Sequence, residues 1–218
     1  MTLSPRLIYR WIAFLLAAGY LIRTLVFSDW DQVGGPFRYL TIWGLTTAFI
    51  SFSRLMAMEE GRSTRRWDGF MSMAAVVNTM VVFMYWRLYF ADPTSVTRDG
   101  QLAAWHLEIY LHLVGPLLLI IDALFIHRSF RALGPAMAWL FGTIAAYLTI
   151  AELIYRPLNT DPMGTVTSGL PYPFLNNLEF ADRAVFYVSN FVIALVILLA
   201  YAGIARLVRR RFPAPAAP

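Results

Sequence analysis

Six long apolar stretches alternate with short polar segments along the chain. They lie at about residues 7–27, 36–58, 67–90, 103–127, 135–155 and 184–207. Each has close to the roughly 20 residues that an α-helix needs to cross a bilayer. Because lipid satisfies no backbone hydrogen bond, segments of this kind span membranes as helices. The pattern predicts an all-α integral membrane bundle of six transmembrane helices over residues 1–212, followed by a proline-rich tail, residues 213–218, that is predicted to be disordered.

Composition supports a membrane protein and removes several kinds of chemistry. Of the 218 residues, 59% are hydrophobic and 14% are charged, which is too apolar for a soluble domain of this size. The chain has no cysteine, which excludes disulfides and thiol catalysis. All 18 basic residues are arginine, which excludes Schiff-base chemistry and is typical of a GC-rich bacterial genome. The first apolar stretch lacks a small-residue cleavage site at its end, so we expect a retained helix rather than a signal peptide.

The arginines divide unequally between the two sides of a six-helix bundle. Twelve fall on the side of the termini, and six fall on the other side: Arg23, Arg38, Arg87, Arg98, Arg156 and Arg183. Cytoplasmic segments carry the excess of positive charge, so both termini are predicted to be cytoplasmic, in a bacterial inner membrane. The net charge of +5 is not gathered on a soluble face, so no nucleic-acid partner is expected.

The fourth apolar stretch carries three ionisable side chains, Glu108, His112 and Asp122. Such groups are costly inside a membrane and usually functional. At helical spacing the three share one stripe, which we expect to face protein. Glu108 and His112 are one turn apart, so the carboxylate can orient the imidazole. A purely structural polar network between helices is an equally good interpretation.

The two other histidines do not extend this cluster. His106 lies about 120° around the helix from His112, which disfavours a shared metal ion. His127 lies at the cytoplasmic end beside Arg128, where we expect it to meet lipid headgroups. Because all three histidines belong to one helix, a haem held between facing helices is not expected either. The sequence predicts no metal and no cofactor.

A threonine follows a polar turn into the second apolar stretch, in the sequence GGPFRYLT at residues 34–41. Pro36 suits the first helical turn, and the two glycines allow a tight approach to it. Thr41 is then expected five residues inside the helix, about 8 Å along its axis. A membrane threonine most often bonds back to its own helix, so position alone assigns it no chemistry.

The longest loop, residues 156–183, is rich in proline, glycine and asparagine. Loops of this length in compact proteins are usually functional or disordered. The run Leu170–Pro–Tyr–Pro–Phe–Leu175 favours order, because a solvated loop does not need aromatic residues.

Three separated stretches carry a resemblance to a known family: GGPFRYLT, LHLVGPLLLIID at 111–122, and PYPFLN at 171–176. They are similar to motifs of the androgen-induced and androgen-dependent TFPI-regulating membrane proteins, which hydrolyse fatty acid esters of hydroxy fatty acids, and of their bacterial relatives. The resemblance covers most of the chain. It implies that Thr41 is the nucleophile and His112 the catalytic histidine. Glu108 departs from the asparagine expected there in the animal members, so its role as orienter is our own inference.

Together these observations predict an intramembrane threonine hydrolase of a lipid ester, with its active site toward the outer leaflet. Thr41 would be the nucleophile, His112 the general base and Glu108 the orienting residue. Arg38 would attract the free carboxylate of a fatty-acid substrate, and Asn78 and Asn176 are the candidate oxyanion donors. The predicted substrate-binding residues are Arg38, Asn78, Arg87, Glu152, Tyr172, Phe174 and Asn176. The alternative is a non-enzymatic lipid-binding or transport protein, although the chain shows no internal repeat and only Gly115-Pro116 as a helix break.

Overall fold

The computed structural model describes residues 4–97, 101–161 and 169–212, and within them it is all-helical. Six helices are long and apolar enough to cross a membrane: α1 Pro5–Phe27, α2 Leu40–Glu59, α3 Asp68–Ala91, α4 Trp105–Ile126, α5 Leu133–Leu158 and α6 Phe180–Arg211. Shorter helical turns are Gly35–Arg38, Pro93–Ser95 and Pro173–Asn176. The predicted six-helix fold is confirmed. The predicted disordered tail, residues 213–218, lies outside the described residues.

Both ends of the helical region lie at the same end of the bundle, which we call the terminal end. Arg6, in the first turn of α1, pairs with Glu59 at the end of α2, with 2.9 Å between Nε and Oε1. Arg128, which follows α4, donates to the main-chain oxygen of Phe212, which follows α6. At the opposite end α2, α4 and α6 begin.

Helix α3 forms the centre of the bundle and packs against α2, α4, α5 and α6. Its residues 69–78 are all buried, because apolar or small side chains occupy every face of this stretch. Helix α1 packs against α2 and α4. Ala13 and Ala17 on α1 are fully buried, and small side chains let neighbouring helices approach closely.

Helix α4 is continuous but carries two π-helical segments, Tyr110–Val114 and Asp122–Ile126. Pro116 has no N–H to donate to the carbonyl of His112, and its ring crowds the preceding turn. The first π-segment lies directly before this proline and accommodates it. The indole of Trp86 donates to the orphaned His112 oxygen at 2.9 Å. The predicted break at Gly115-Pro116 therefore appears as a π-bulge at His112.

The start of α2 differs from the prediction. Gly34 and Gly35 have φ values of 93° and 45°, and a Cβ on Gly34 would lie 2.3 Å from a ring carbon of Tyr155. Pro36 lies in a separate 3₁₀ turn, Gly35–Arg38, and the extended backbone of Tyr39 separates that turn from α2. Thr41 is thus the second residue of α2, and the expectation that it lies five residues inside the helix is wrong.

The terminal end contains two buried ionic clusters. Arg10 donates to both carboxylate oxygens of Asp122, at 2.8 and 2.9 Å, and also contacts Glu59. His127 is 6% exposed, and its Nε2 lies 3.0 Å from Asp68 Oδ1. The expectation that His127 meets lipid headgroups is therefore wrong, because Asp68 at the start of α3 and the main-chain oxygen of Arg66 lie against the buried ring.

Candidate active site

Thr41, His112 and Glu108 lie in a row where α2 and α4 meet. The hydroxyl of Thr41 is 3.5 Å from Nε2 of His112. On the other side of the ring, Nδ1 of His112 is 2.9 Å from Oε2 of Glu108. With the carboxylate accepting the Nδ1–H, the Nε2 lone pair faces the threonine hydroxyl. This is the arrangement of a nucleophile, a base and an orienting acid.

Two further contacts hold the carboxylate of Glu108. The hydroxyl of Tyr85 donates to Oε2 at 2.6 Å, and the main-chain N–H of Ala103 donates to Oε1 at 3.1 Å. The Tyr85 ring also lies flat against the His112 imidazole, with 3.4 Å between centroids and 3° between planes. Glu108 and His112 are each 8% exposed, so water competes little with these bonds. The imidazole is therefore fixed in position and tilt.

Thr41 and His112 border a cavity of about 600 Å³ at the end of the bundle opposite the terminal end, which we call the cavity end. Most of its wall is apolar, with Met80, Met84 and Ile144 among the side chains that line it. The segment 170–175 covers it, because Leu170, Pro171, Tyr172, Phe174 and Leu175 all contribute to the lining. A reacting bond placed here would have mostly apolar surroundings.

The covering segment is fixed to the start of α2. The hydroxyl of Tyr172 accepts the Leu40 N–H at 3.3 Å, one residue before Thr41. Asn176 exchanges two 3.0 Å hydrogen bonds with the main chain of Leu170, which closes the segment on itself. Burial raises the pKa of Tyr172 to about 12. Its hydroxyl therefore keeps its proton at any physiological pH, next to the candidate nucleophile.

Arg38 places a buried positive charge on the cavity wall. It is 6% exposed, and its Nε donates to the Gly35 oxygen at 3.1 Å. Another guanidinium nitrogen donates to the side-chain oxygen of Gln32. Within the described residues no carboxylate lies within 4.0 Å of Arg38, so neutral oxygens alone hold it. A buried cation of this kind attracts an anionic ligand.

Comparison with known proteins decides the family. The chain matches the FAR-17a/AIG1-like protein family over residues 6–206, which is most of its length. It belongs to this family. No curated protein and no solved structure matches the chain. The matched span includes Thr41, Glu108, His112 and the covering segment, and this family is the one that the three sequence motifs resemble.

Two predicted oxyanion donors of this FAR-17a/AIG1-like protein lie away from the cavity lining. The amide nitrogen of Asn78 donates to the carbonyls of Gly44 and Ala74, at 3.0 and 2.9 Å, and so joins α2 to α3. Asn176 bonds to the main chain of Leu170 within the covering segment. Both amides are engaged with backbone, so the structure does not place them where they were expected.

Two predicted substrate-binding residues also lie outside the lining. Arg87 is exposed, with its guanidinium 5.9 Å from the centre of the Phe83 ring. Glu152 accepts from Arg183 at 2.8 Å and from the hydroxyl of Tyr187 at 2.7 Å, and so joins α5 to α6. Of the predicted substrate-binding set, Arg38, Tyr172 and Phe174 do line the cavity.

Sequence analysis missed three side chains of the site. Tyr85 and Tyr147 line the cavity, and Tyr147 donates to the Arg38 oxygen at 2.9 Å. Asn190 also lines it: its amide nitrogen donates to the Phe186 oxygen at 2.8 Å, while its buried side-chain oxygen has no partner in the described part of the chain. The available signal was a tyrosine or asparagine inside an apolar helix, because such a group needs a polar partner.

Proposed function

We propose that this protein is an intramembrane hydrolase that cleaves an ester bond of a lipid, with Thr41 as nucleophile. The observation that carries the proposal is the 3.5 Å contact between the Thr41 hydroxyl and His112 Nε2, on the wall of an apolar cavity. A threonine hydroxyl is a poor nucleophile until a base removes its proton, and catalytic contacts are often longer without substrate. Glu108 keeps the imidazole in the tautomer that can accept that proton.

In the first half of the reaction the Thr41 oxygen attacks the ester carbonyl carbon, and His112 Nε2 takes the hydroxyl proton. Glu108 stabilises the imidazolium that forms. The tetrahedral intermediate then expels the alcohol oxygen, which takes the proton from His112. The products of this half are the free alcohol and an acyl ester on Thr41.

In the second half water cleaves the acyl ester. His112 accepts a proton from that water as its oxygen attacks the acyl carbon. The intermediate collapses, the Thr41 oxygen leaves, and His112 returns the proton to it. The fatty acid is released and the site is restored without any cofactor.

Two donors next to Thr41 suit the oxyanion, and they replace the asparagines expected from the sequence. In the first turn of α2 the Leu40 N–H is bonded to Tyr172 and the Ile42 N–H to Tyr39, while the N–H of Thr41 has no intrahelical carbonyl available. The helix dipole favours negative charge at this position. The Tyr172 hydroxyl, which accepts from Leu40, can give its own proton to the same oxygen.

The cavity supports a substrate with long apolar chains and one free carboxylate. Its wall is mostly apolar, and Arg38 supplies the one buried cation that lacks a carboxylate in the described part of the lining. A fatty acid ester of a hydroxy fatty acid, which the family resemblance implies, has these features. We further propose that the site opens toward the outer leaflet, since the arginine distribution predicts cytoplasmic termini.

A lipid-binding or transport protein is the second candidate, and the apolar cavity by itself would suit it. The row of Thr41, His112 and Glu108 favours the hydrolase. A binding site for an acyl chain gains nothing from a buried, oriented imidazole next to a hydroxyl, and buried polar groups cost stability.

The test uses purified protein in nanodiscs with a fatty acid ester of a hydroxy fatty acid. We expect wild-type protein to release fatty acid and a fluorophosphonate probe to label Thr41, as identified by mass spectrometry. Thr41→Ala should lose turnover and label while still binding the lipid, and Thr41→Ser should keep part of the activity. Hydrolysis by Thr41→Ala at the wild-type rate would reject the nucleophile and favour the lipid-binding function.

A further inference from the structure

A second concave surface lies at the terminal end, between the start of α5 and the end of α6. It encloses about 300 Å³. We call it the arginine groove and define it by three basic residues, Arg131, Arg206 and Arg209, and three apolar wall positions, Leu133, Leu199 and Gly203. It is distant from Thr41, because the cavity and the groove lie at opposite ends of the bundle.

In the described part of the chain, the three arginines of the groove have no acidic partner. No carboxylate lies within 4.0 Å of any of them among the described residues, in contrast to Arg10, which is held by Asp122. Arg209 donates to the Phe130 oxygen at 3.1 Å, which aims its side chain across the gap between the helices. Arg131 donates to the Arg128 oxygen at 3.3 Å. Three cations thus converge on one surface, and most of their N–H groups have no acceptor among the described residues.

The walls of the groove continue into the apolar surface of the bundle. Leu199 is 55% exposed and Leu133 is 39% exposed, as is typical of side chains that meet lipid. Leu199 lies about two turns before Arg206 on α6, toward the membrane interior. The groove therefore has a cationic end at the helix termini and an apolar side that faces the membrane, which matches the two parts of a phospholipid.

We propose that the arginine groove binds an anionic phospholipid. Its phosphate would lie among Arg131, Arg206 and Arg209, and an acyl chain would lie along Leu199 and Gly203. Basic pockets between helices at a membrane interface select anionic headgroups by charge, and arginine matches phosphate with paired N–H donors. The proposal stands independently of the hydrolase function.

Charge is tested first, on the full chain in a neutral detergent. Native mass spectrometry would measure retention of phosphatidylglycerol and of phosphatidylcholine by wild type, by Arg206→Gln/Arg209→Gln, and by Arg62→Gln/Arg65→Gln. The control pair removes the same charge from the loop between α2 and α3 at the same end. We expect wild type to prefer phosphatidylglycerol and the groove variant to bind it at least about tenfold more weakly, with the control unchanged. Equal losses in both variants would overturn the proposal in favour of non-specific attraction.

Shape is tested with two glycines. A Cβ on Gly203 or on Gly142 meets no atom within 4 Å, so both positions open into space where a side chain can be added. Only Gly203 lines the groove. Gly203→Leu should therefore abolish phosphatidylglycerol retention, while Gly142→Leu on α5 should leave it unchanged. Wild-type retention by Gly203→Leu would overturn the proposal.

A third measurement separates the lipid from its phosphate. We expect phosphatidylglycerol, but not sodium phosphate at equal concentration, to raise the thermal stability of wild type and not of Arg206→Gln/Arg209→Gln. Equal stabilisation by free phosphate would show a small-anion site and reject the lipid. Size-exclusion profiles matching wild type establish that each variant is folded.

Discussion

Two histidines, His112 on α4 and His127 directly after it, each lie against a carboxylate, and the two pairs differ in what Nε2 of the ring meets. At the cavity end, Nδ1 of His112 lies 2.9 Å from Glu108 and Nε2 faces the hydroxyl of Thr41. At the terminal end, Nε2 of His127 lies 3.0 Å from both Asp68 and the Arg66 oxygen. A buried carboxylate–histidine pair is therefore not by itself a sign of catalysis.

The difference follows from which ring nitrogen contacts the carboxylate. In the His127 pair Nε2 contacts Asp68, and no hydroxyl in the described residues lies within hydrogen-bonding distance of it. In the His112 pair Nδ1 contacts Glu108, so Nε2 is left to face Thr41 on α2. The cavity adds space for a substrate at only one of the two pairs. Catalysis requires a ring nitrogen that faces a hydroxyl and space for a substrate, whereas a structural ion pair requires neither.

The largest expected effect separates these two histidines. His112→Ala should lower turnover by more than about 10³-fold, because the proposed base is lost. His127→Ala should leave turnover per folded molecule near wild type and lower the free energy of unfolding by about 1–3 kcal/mol. Initial rates and thermal unfolding of both variants measure this. The double variant Thr41→Ala/His112→Ala should be little slower than either single one, because residues that act as a unit are not additive. Loss of turnover in a folded His127→Ala would contradict the distinction.

A second comparison uses the two carboxylates of α4, Glu108 and Asp122. Glu108→Gln keeps the shape but removes the charge that stabilises the imidazolium, so turnover should fall by about 10²- to 10⁴-fold. Asp122→Asn weakens a closed ion pair with Arg10, and we expect a loss of stability of up to about 3–5 kcal/mol with turnover per folded molecule retained. Rates corrected for the folded fraction distinguish the two effects. An unchanged rate in Glu108→Gln would show that the carboxylate is only structural.

The third prediction concerns Tyr172, the proposed oxyanion donor. Tyr172→Phe should lower kcat by about 10²-fold, as loss of one such donor usually does. Because the pKa of Tyr172 is raised to about 12, its hydroxyl stays protonated as pH rises through the usual assay range. The ratio of variant to wild-type rates should therefore be constant between about pH 6 and pH 9. The raised pKa also implies stability that is present below about pH 10 and lost as pH rises toward 12. Tyr89→Phe, which removes a tyrosine hydroxyl outside the cavity lining, is the matched control and should leave kcat unchanged.

The smallest expected effect concerns Asn190, whose buried side-chain oxygen has no partner in the described structure. Asn190→Leu removes this acceptor and should raise the free energy of unfolding by about 1 kcal/mol. Ser189→Ala, on the exposed neighbouring position of α6, should change stability much less. Thermal unfolding in detergent measures both. A destabilised Asn190→Leu would show that its amide bond to Phe186 matters more than the unpaired oxygen.

Some parts of the site could be predicted because they are local. Glu108 and His112 lie one turn apart on α4, so their contact follows from helical periodicity. Other parts could not. Asn78 was predicted to face the cavity, yet its amide joins α2 to α3. His127 was predicted to lie at the membrane interface, yet it is buried against Asp68. The polar partner of a side chain depends on which helix packs against it, and a single sequence does not show how the helices pack.

The amino-acid sequence by itself determined the six membrane-spanning helices, because backbone in lipid must satisfy its own hydrogen bonds and the apolar lengths show where it does so. It also predicted a tight turn at the two glycines before α2, and its three motifs indicated the family. Only the tertiary structure decided that Thr41 meets His112, 71 residues away along the chain. Tyr39 sets the start of α2, and Pro116 with its π-bulge sets the register of α4. Such a contact depends on how far two helices are displaced along each other, and packing sets that displacement.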